Sequence, residues 1–169
     1  MPVFNLTPDI FSLLAHRGSL TQRFKEVMGV TPRLTRLKQK REFVPLEERE
    51  LLPISAREYA LVREIKMSKG RDDWMFARTV IPNSTLSGAA RRIGNLKDAP
   101  IGKILFGRNG AQRTSLQLEL TANFPQSLLD LGSKPVHPLW KRQSIFQFDS
   151  GPILVTELFL PDCPIYTDA

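Results

Sequence analysis

Residues 59–81 read YALVREIKMSKGRDDWMFARTVI, and this stretch decides the fold class. Two runs rich in apolar, aromatic and β-branched residues, Tyr59 to Met67 and Trp74 to Ile81, flank the turn-like Ser68-Lys69-Gly70-Arg71-Asp72-Asp73. The pattern predicts a β-hairpin. A second hairpin is predicted near the C-terminal end, where Trp140 to Phe148 and Ile153 to Leu160 are joined across Asp149-Ser150-Gly151-Pro152. Leu116, Leu118 and Leu120 alternate with Gln117 and Glu119 in another strand, and the charges of Arg33 to Arg41 read as the wet face of one more. Helical signals lie between and before these strands. Short patches around Leu86 to Ile93 and Ala99 to Phe106 each end at a glycine, Gly94 and Gly107. Thr7-Pro8 resembles a cap followed by proline at the first helical position, with Ile10, Phe11, Leu13 and Leu14 apolar before Gly18. Ser19 and Gln22 have capping-box spacing and open a helix over 20–28 that Gly29 stops. Hairpins with helices between them predict an α+β fold with one antiparallel sheet.

The 169 residues suit one domain spanning 1–169, and 41% hydrophobic with 24% charged residues excludes the disordered and collagen-like classes. Twenty-four Lys+Arg against 17 Asp+Glu leave a net charge of +7, which attracts anions: nucleic acid, acidic lipid or small polyanionic metabolites. Glu47, Glu48 and Glu50 follow the basic run at once and cancel part of its field, which argues against a nucleic-acid groove there. One cysteine, Cys163, and two histidines, His16 and His137, cannot assemble a zinc cluster or an intrachain disulfide. Cys163 reads as a packed thiol. The N-terminus lacks a secretory pattern and no stretch is long enough for a spanning helix, so a cytoplasmic location is expected. Phosphate-loop, dinucleotide, zinc-protease and hydrolase-elbow motifs are all missing.

Two charges fall on the wrong face. In the first strand Tyr59, Leu61, Arg63, Ile65 and Met67 share one side, so Arg63 lies among core residues. In the last strand Glu157 shares a side with Ile153, Val155 and Phe159, and a four-residue turn sets it opposite Ser144. A buried charge requires a compensating partner. Either Arg63 and Glu157 satisfy each other in a salt bridge, or a ligand meets them. If residues 68–73 form the first turn, Arg63 also lies across from Arg78, and two adjacent like charges call for an anion. Two arginines and one carboxylate on an apolar sheet suit a small dianion that also carries a hydroxyl.

The chain resembles the chorismate pyruvate-lyases, which make 4-hydroxybenzoate. The resemblance is carried by GSLTQRF (18–24), LVREI (61–65), RTVIPNSTLSG (78–88), PIGKILF (100–106), LWKRQS (139–144) and TELFLP (156–161), in that order. It implies a six-stranded antiparallel sheet with helices beside it, and helical flaps closing a buried product pocket. It implies no cofactor and no metal. It also implies that Arg63 binds the ring carboxylate, that Glu157 meets the hydroxyl, and that backbone groups at Leu20 and Ile101 touch the ligand. Leu20 stands where relatives often have methionine. Arg78 is then the partner expected for the enolpyruvyl carboxylate. The expected partners are chorismate and 4-hydroxybenzoate, acting on a monomer that binds neither nucleic acid nor membrane, in bacterial cytoplasm or a plastid stroma. The rival reading is a non-catalytic sensing domain for aromatic acids, because the family's fold is similar to the effector-binding domains of some bacterial regulators.

Overall fold

A computed structural model describes residues 8–132 and 134–166. The expected cap at Thr7 lies outside them. Two helices lead, α1 (Pro8–Leu14) and α2 (Leu20–Met28). The Ser19 hydroxyl accepts from the Gln22 amide at 3.4 Å and so caps α2, although the Gln22 side chain bonds Glu26 instead of closing the box. At the other end Gly29 adopts φ 67°, a left-handed conformation that lets its N–H return to the Lys25 carbonyl and end the helix.

Six strands follow: β1 (Arg33–Glu42), β2 (Ala60–Lys69), β3 (Asp72–Pro82), β4 (Gln112–Thr121), β5 (Leu139–Phe148) and β6 (Gly151–Phe159). They form one sheet in the order β1-β2-β3-β6-β5-β4, with every neighbouring pair antiparallel. The α+β expectation holds in class, strand number and direction. Between strands lie α3 (Leu46–Leu51), α4 (Gly102–Leu105), α5 (Gln126–Leu129) and three 3-10 segments, Asn83–Thr85, Gly88–Asn95 and Pro164–Tyr166. The two helical patches expected after β3 are therefore a 3-10 segment and a single α-turn. The acidic α3 and the short α5 carry no apolar periodicity long enough to announce them.

Both hairpins turn more tightly than the sequence suggests. Lys69 pairs with Asp72 across Gly70-Arg71, with Gly70 at φ 60°, and Phe148 pairs with Gly151 across Asp149-Ser150. A bulge then shifts the first hairpin: Ser68 pairs with Asp73 but Met67 pairs with Met75, so Trp74 is the extra residue. One inserted residue moves every later side chain of β3 to the opposite face. Arg63 consequently faces Thr79, and Arg78 sits beside Glu64 on the other side of the sheet.

The sheet is covered on both faces. On one face Leu13, Leu14, Leu20, Phe24, Ile65, Met67, Met75 and Phe159 pack together, joined further along by Ile93, Ile104, Leu105, Phe146 and Val155. On the other, Leu52, Val62, Val80 and Leu154 pack with Ile54, and Phe76, Leu128 and Leu158 with Leu139. Glu64 is fully buried on this second face. Its Oε1 accepts from Arg78 Nη1 at 2.7 Å, while Arg78 also grips Glu48 at 2.7 and 3.0 Å and thereby pins α3 to the sheet. Burial works against the Arg78 charge, but the bonds to Glu48 and Glu64 outweigh it and raise its pKa. The Arg78→Met variant leaves Glu64 buried with Lys38, at 4.0 Å, as its one remaining cation among the described residues. We expect it to lose about 3 kcal/mol of stability in urea denaturation. A loss under about 1 kcal/mol would show that this network does not hold α3 in place.

Candidate active site

The site lies on the first face, where α2, the 97–106 segment and α4 arch over the middle of the sheet. Its wall includes Arg63 and Ile65 from β2, Ala77 and Thr79 from β3, Val155 and Glu157 from β6, Arg142 and Phe146 from β5, and Arg113 from β4. Ser19 and Leu20 at the start of α2, with Pro100, Ile101 and Gly102 before α4, cover it from above. Four of the expected site residues, Leu20, Arg63, Ile101 and Glu157, thus meet in one pocket. Arg78 does not: the Trp74 bulge puts it on the far face, spent on Glu48 and Glu64.

Arg63 is 2% exposed and has no carboxylate partner among the described residues. Its Nη2 donates to the carbonyls of Lys97 and Ala99 at 3.0 and 2.8 Å, which holds the guanidinium under the covering segment. Its Nε is buried and unpartnered. Burial, followed by the nearby Arg36 charge, lowers the Arg63 pKa to about 10, so the cation persists at neutral pH at a cost to the empty protein.

Glu157 faces Arg142 and not Ser144, because the two-residue turn moves the register by two residues and leaves the face unchanged. Arg142 Nε and Nη2 donate to the two Glu157 oxygens at 2.5 and 3.2 Å, a bidentate pairing. Arg142 Nη1 donates to the carbonyls of His16 at 2.7 Å and Leu14 at 3.4 Å. The carboxylate is therefore oriented by a cation that is itself tied to the end of α1. Arg63 and Glu157 do not bond each other, so the simple salt-bridge alternative fails.

Arg142 was not singled out from the sequence, and neither was Arg113. Arg113 Nη1 donates to the carbonyls of Arg17 at 2.5 Å and His16 at 3.5 Å, and its guanidinium carbon lies 4.6 Å from the centre of the Phe146 ring. Its Nε is also buried without a partner. Burial first and Arg142 second lower its pKa to about 10. With Arg63, Arg113 and Arg142 against Glu157, the wall carries a net charge of +2. His16 serves through its carbonyl; burial first, then the charges of Arg23 and Arg142, lower its ring pKa. Cys163 is fully buried, and burial pushes its thiol up to about 12, as fits a packing role away from the pocket. Among the described residues no group of His, Cys, Asp and Glu is placed to hold a metal ion, and no helix is long and apolar enough to cross a membrane.

The chain matches the chorismate lyase family over residues 3–169. It belongs to that family. It is 34% identical over 166 residues to the chorismate pyruvate-lyase of Yersinia enterocolitica, covering 96% of this chain and 88% of that one. With the chorismate pyruvate-lyase of Proteus mirabilis the identity is 32% over 159 residues, covering 94% and 84%. Solved structures share the fold at lower identity. The effector domain of PhnF from Mycobacterium smegmatis superposes with a TM-score of 0.59 at 14% identity, covering 86% of this chain and 90% of that one. A GntR-family transcriptional regulator from Enterococcus faecalis gives 0.52 at 12%, covering 76% and 88%. The resemblance read from the sequence motifs is thereby confirmed as membership. The regulators establish only that the fold is shared.

Proposed function

We propose that this chorismate lyase family member eliminates pyruvate from chorismate to give 4-hydroxybenzoate, a precursor for quinone biosynthesis. The observation that carries the reading is the pocket whose charged side chains, Arg63, Arg142 and Glu157 buried among them, sum to +2, matched to a substrate with two carboxylates and a hydroxyl. In this reading Arg63 holds the ring carboxylate from one side. Glu157, oriented by Arg142, accepts the hydrogen bond of the ring hydroxyl from the other. Backbone groups at Leu20 and Ile101 line the space between.

The reaction balances without a co-reactant. The ring C3–O bond to the enolpyruvyl group breaks with its electron pair going to oxygen. The C4 hydrogen leaves as a proton, and its C–H electrons complete the aromatic ring. The proton ends on the methylene carbon of the departing enolate, giving pyruvate. Aromatisation supplies the driving force, so the protein contributes orientation and cations near the oxygen that gains charge.

Incubation of the purified chain with chorismate should release pyruvate and 4-hydroxybenzoate in equal amounts. The regulator-like fold supports a second reading, a sensing domain. That reading predicts saturable binding of 4-hydroxybenzoate with no pyruvate formed, and such a result would displace the lyase assignment. A single domain, a monomeric state and a cytosolic or stromal setting belong to the same proposal; limited proteolysis and sedimentation test the first two.

A further inference from the structure

Chorismate's second carboxylate hangs from the ring carbon next to the hydroxyl, so it must project at the Glu157 end of the pocket, away from Arg63. Arg142 is already committed there: four of its N–H groups serve Glu157, His16 and Leu14. Arg78 is on the far face. Arg113 remains. It shares the His16 carbonyl with Arg142, which brings the two guanidinium groups side by side at the hydroxyl end. No carboxylate of the described residues pairs with it, and its buried Nε has no acceptor. Adjacent like charges in a desolvated wall require an anion, as does the unfilled donor.

The geometry points to Arg113 as the residue that binds the enolpyruvyl carboxylate and makes the pocket selective for a dicarboxylate over a monocarboxylate. Phe146, stacked beneath its guanidinium, and the Arg17 carbonyl fix the direction of the cation. When the C3–O bond breaks, the same cation lies beside the enolate oxygen and carboxylate of the leaving group. The inference rests on the proposed lyase reaction for its substrate, and its test separates the two.

Arg113→Gln should lower kcat/KM for chorismate about 100-fold, with the affinity for 4-hydroxybenzoate, which lacks the second carboxylate, changed by less than about threefold. Retained 4-hydroxybenzoate binding also reports that the variant is folded. Arg113→Lys should recover part of the loss, since a charge without the planar fork still meets a carboxylate. Binding of 3-(carboxymethoxy)-4-hydroxybenzoate, an unreactive dicarboxylate, should fall in Arg113→Gln by a factor similar to kcat/KM. This measurement needs no turnover, so it decides the role of Arg113 even if the parent chain fails to consume chorismate. Equal losses for the mono- and dicarboxylate, or no loss for either, would overturn the assignment.

Discussion

Arg63→Met is expected to weaken 4-hydroxybenzoate binding by roughly 30-fold to several thousand-fold while leaving the protein about as stable as its parent. The first half follows from burial. A carboxylate carried to the Arg63 end of the pocket, beside Ile65, Thr79 and Val155, loses its cationic partner when Arg63 is removed, and an unpaired buried charge costs about 2–5 kcal/mol. The second half follows from the absence of a carboxylate partner for Arg63 among the described residues. Its pKa is depressed to about 10, mainly by burial. Between that value and the ordinary arginine range the unfolded chain binds the proton more tightly, so folded stability rises with pH there; below about 10 the buried cation is present in full and opposes folding. Methionine removes that opposition and fills similar space, and the cost is two hydrogen bonds to the Lys97 and Ala99 carbonyls. Titration calorimetry and urea denaturation on the same sample check both halves. Unchanged affinity would remove Arg63 from the site, and a stability loss above about 3 kcal/mol would make it a structural residue.

Period-two alternation located Arg63 and Glu157 because each interrupts an apolar face in a strand without a break between the turn and the charged position. The same signal was available in Trp140, Arg142, Ser144, Phe146 and Phe148, where Arg142 is the one charge on a largely apolar side next to Glu157. Arg113 was less accessible. The register of β4 shifts between Arg113 and Ser115, so the alternation of Leu116, Leu118 and Leu120 does not extend back to it. Arg78 shows the opposite error. Counting across the Ser68 to Asp73 turn gives it the Arg63 face, and the single extra residue at Trp74 reverses that. The bulged Trp74 packs against Phe24 of α2, tilted at 5.4 Å between ring centres, and no local pattern announces a contact between residues 50 positions apart. The fold depended on which strands exist, and hairpin spacing supplied that. The site depended on which side chains share a face, and one residue of register was enough to exchange a structural arginine for a binding one.

The same distinction predicts a contrasting result for the second buried arginine of the pocket. Arg142→Met should destabilise the protein by about 3–5 kcal/mol, because it leaves Glu157, 7% exposed, inside an apolar wall without its bidentate partner. It also frees the His16 and Leu14 carbonyls and so loosens α1 from the sheet. Turnover of chorismate should be lost with it, since an unoriented carboxylate no longer meets the hydroxyl. The double variant Arg142→Met/Glu157→Gln separates these effects. Removing both charges should recover at least half of the lost stability in urea denaturation, as expected when a buried ion pair gives way to neutral groups of similar volume. Turnover should stay absent. If the double variant is no more stable than Arg142→Met, the destabilisation comes from the α1 carbonyls and not from the stranded carboxylate. If it regains turnover, Glu157 is not the group that receives the hydroxyl, and the pocket acts through its cations alone.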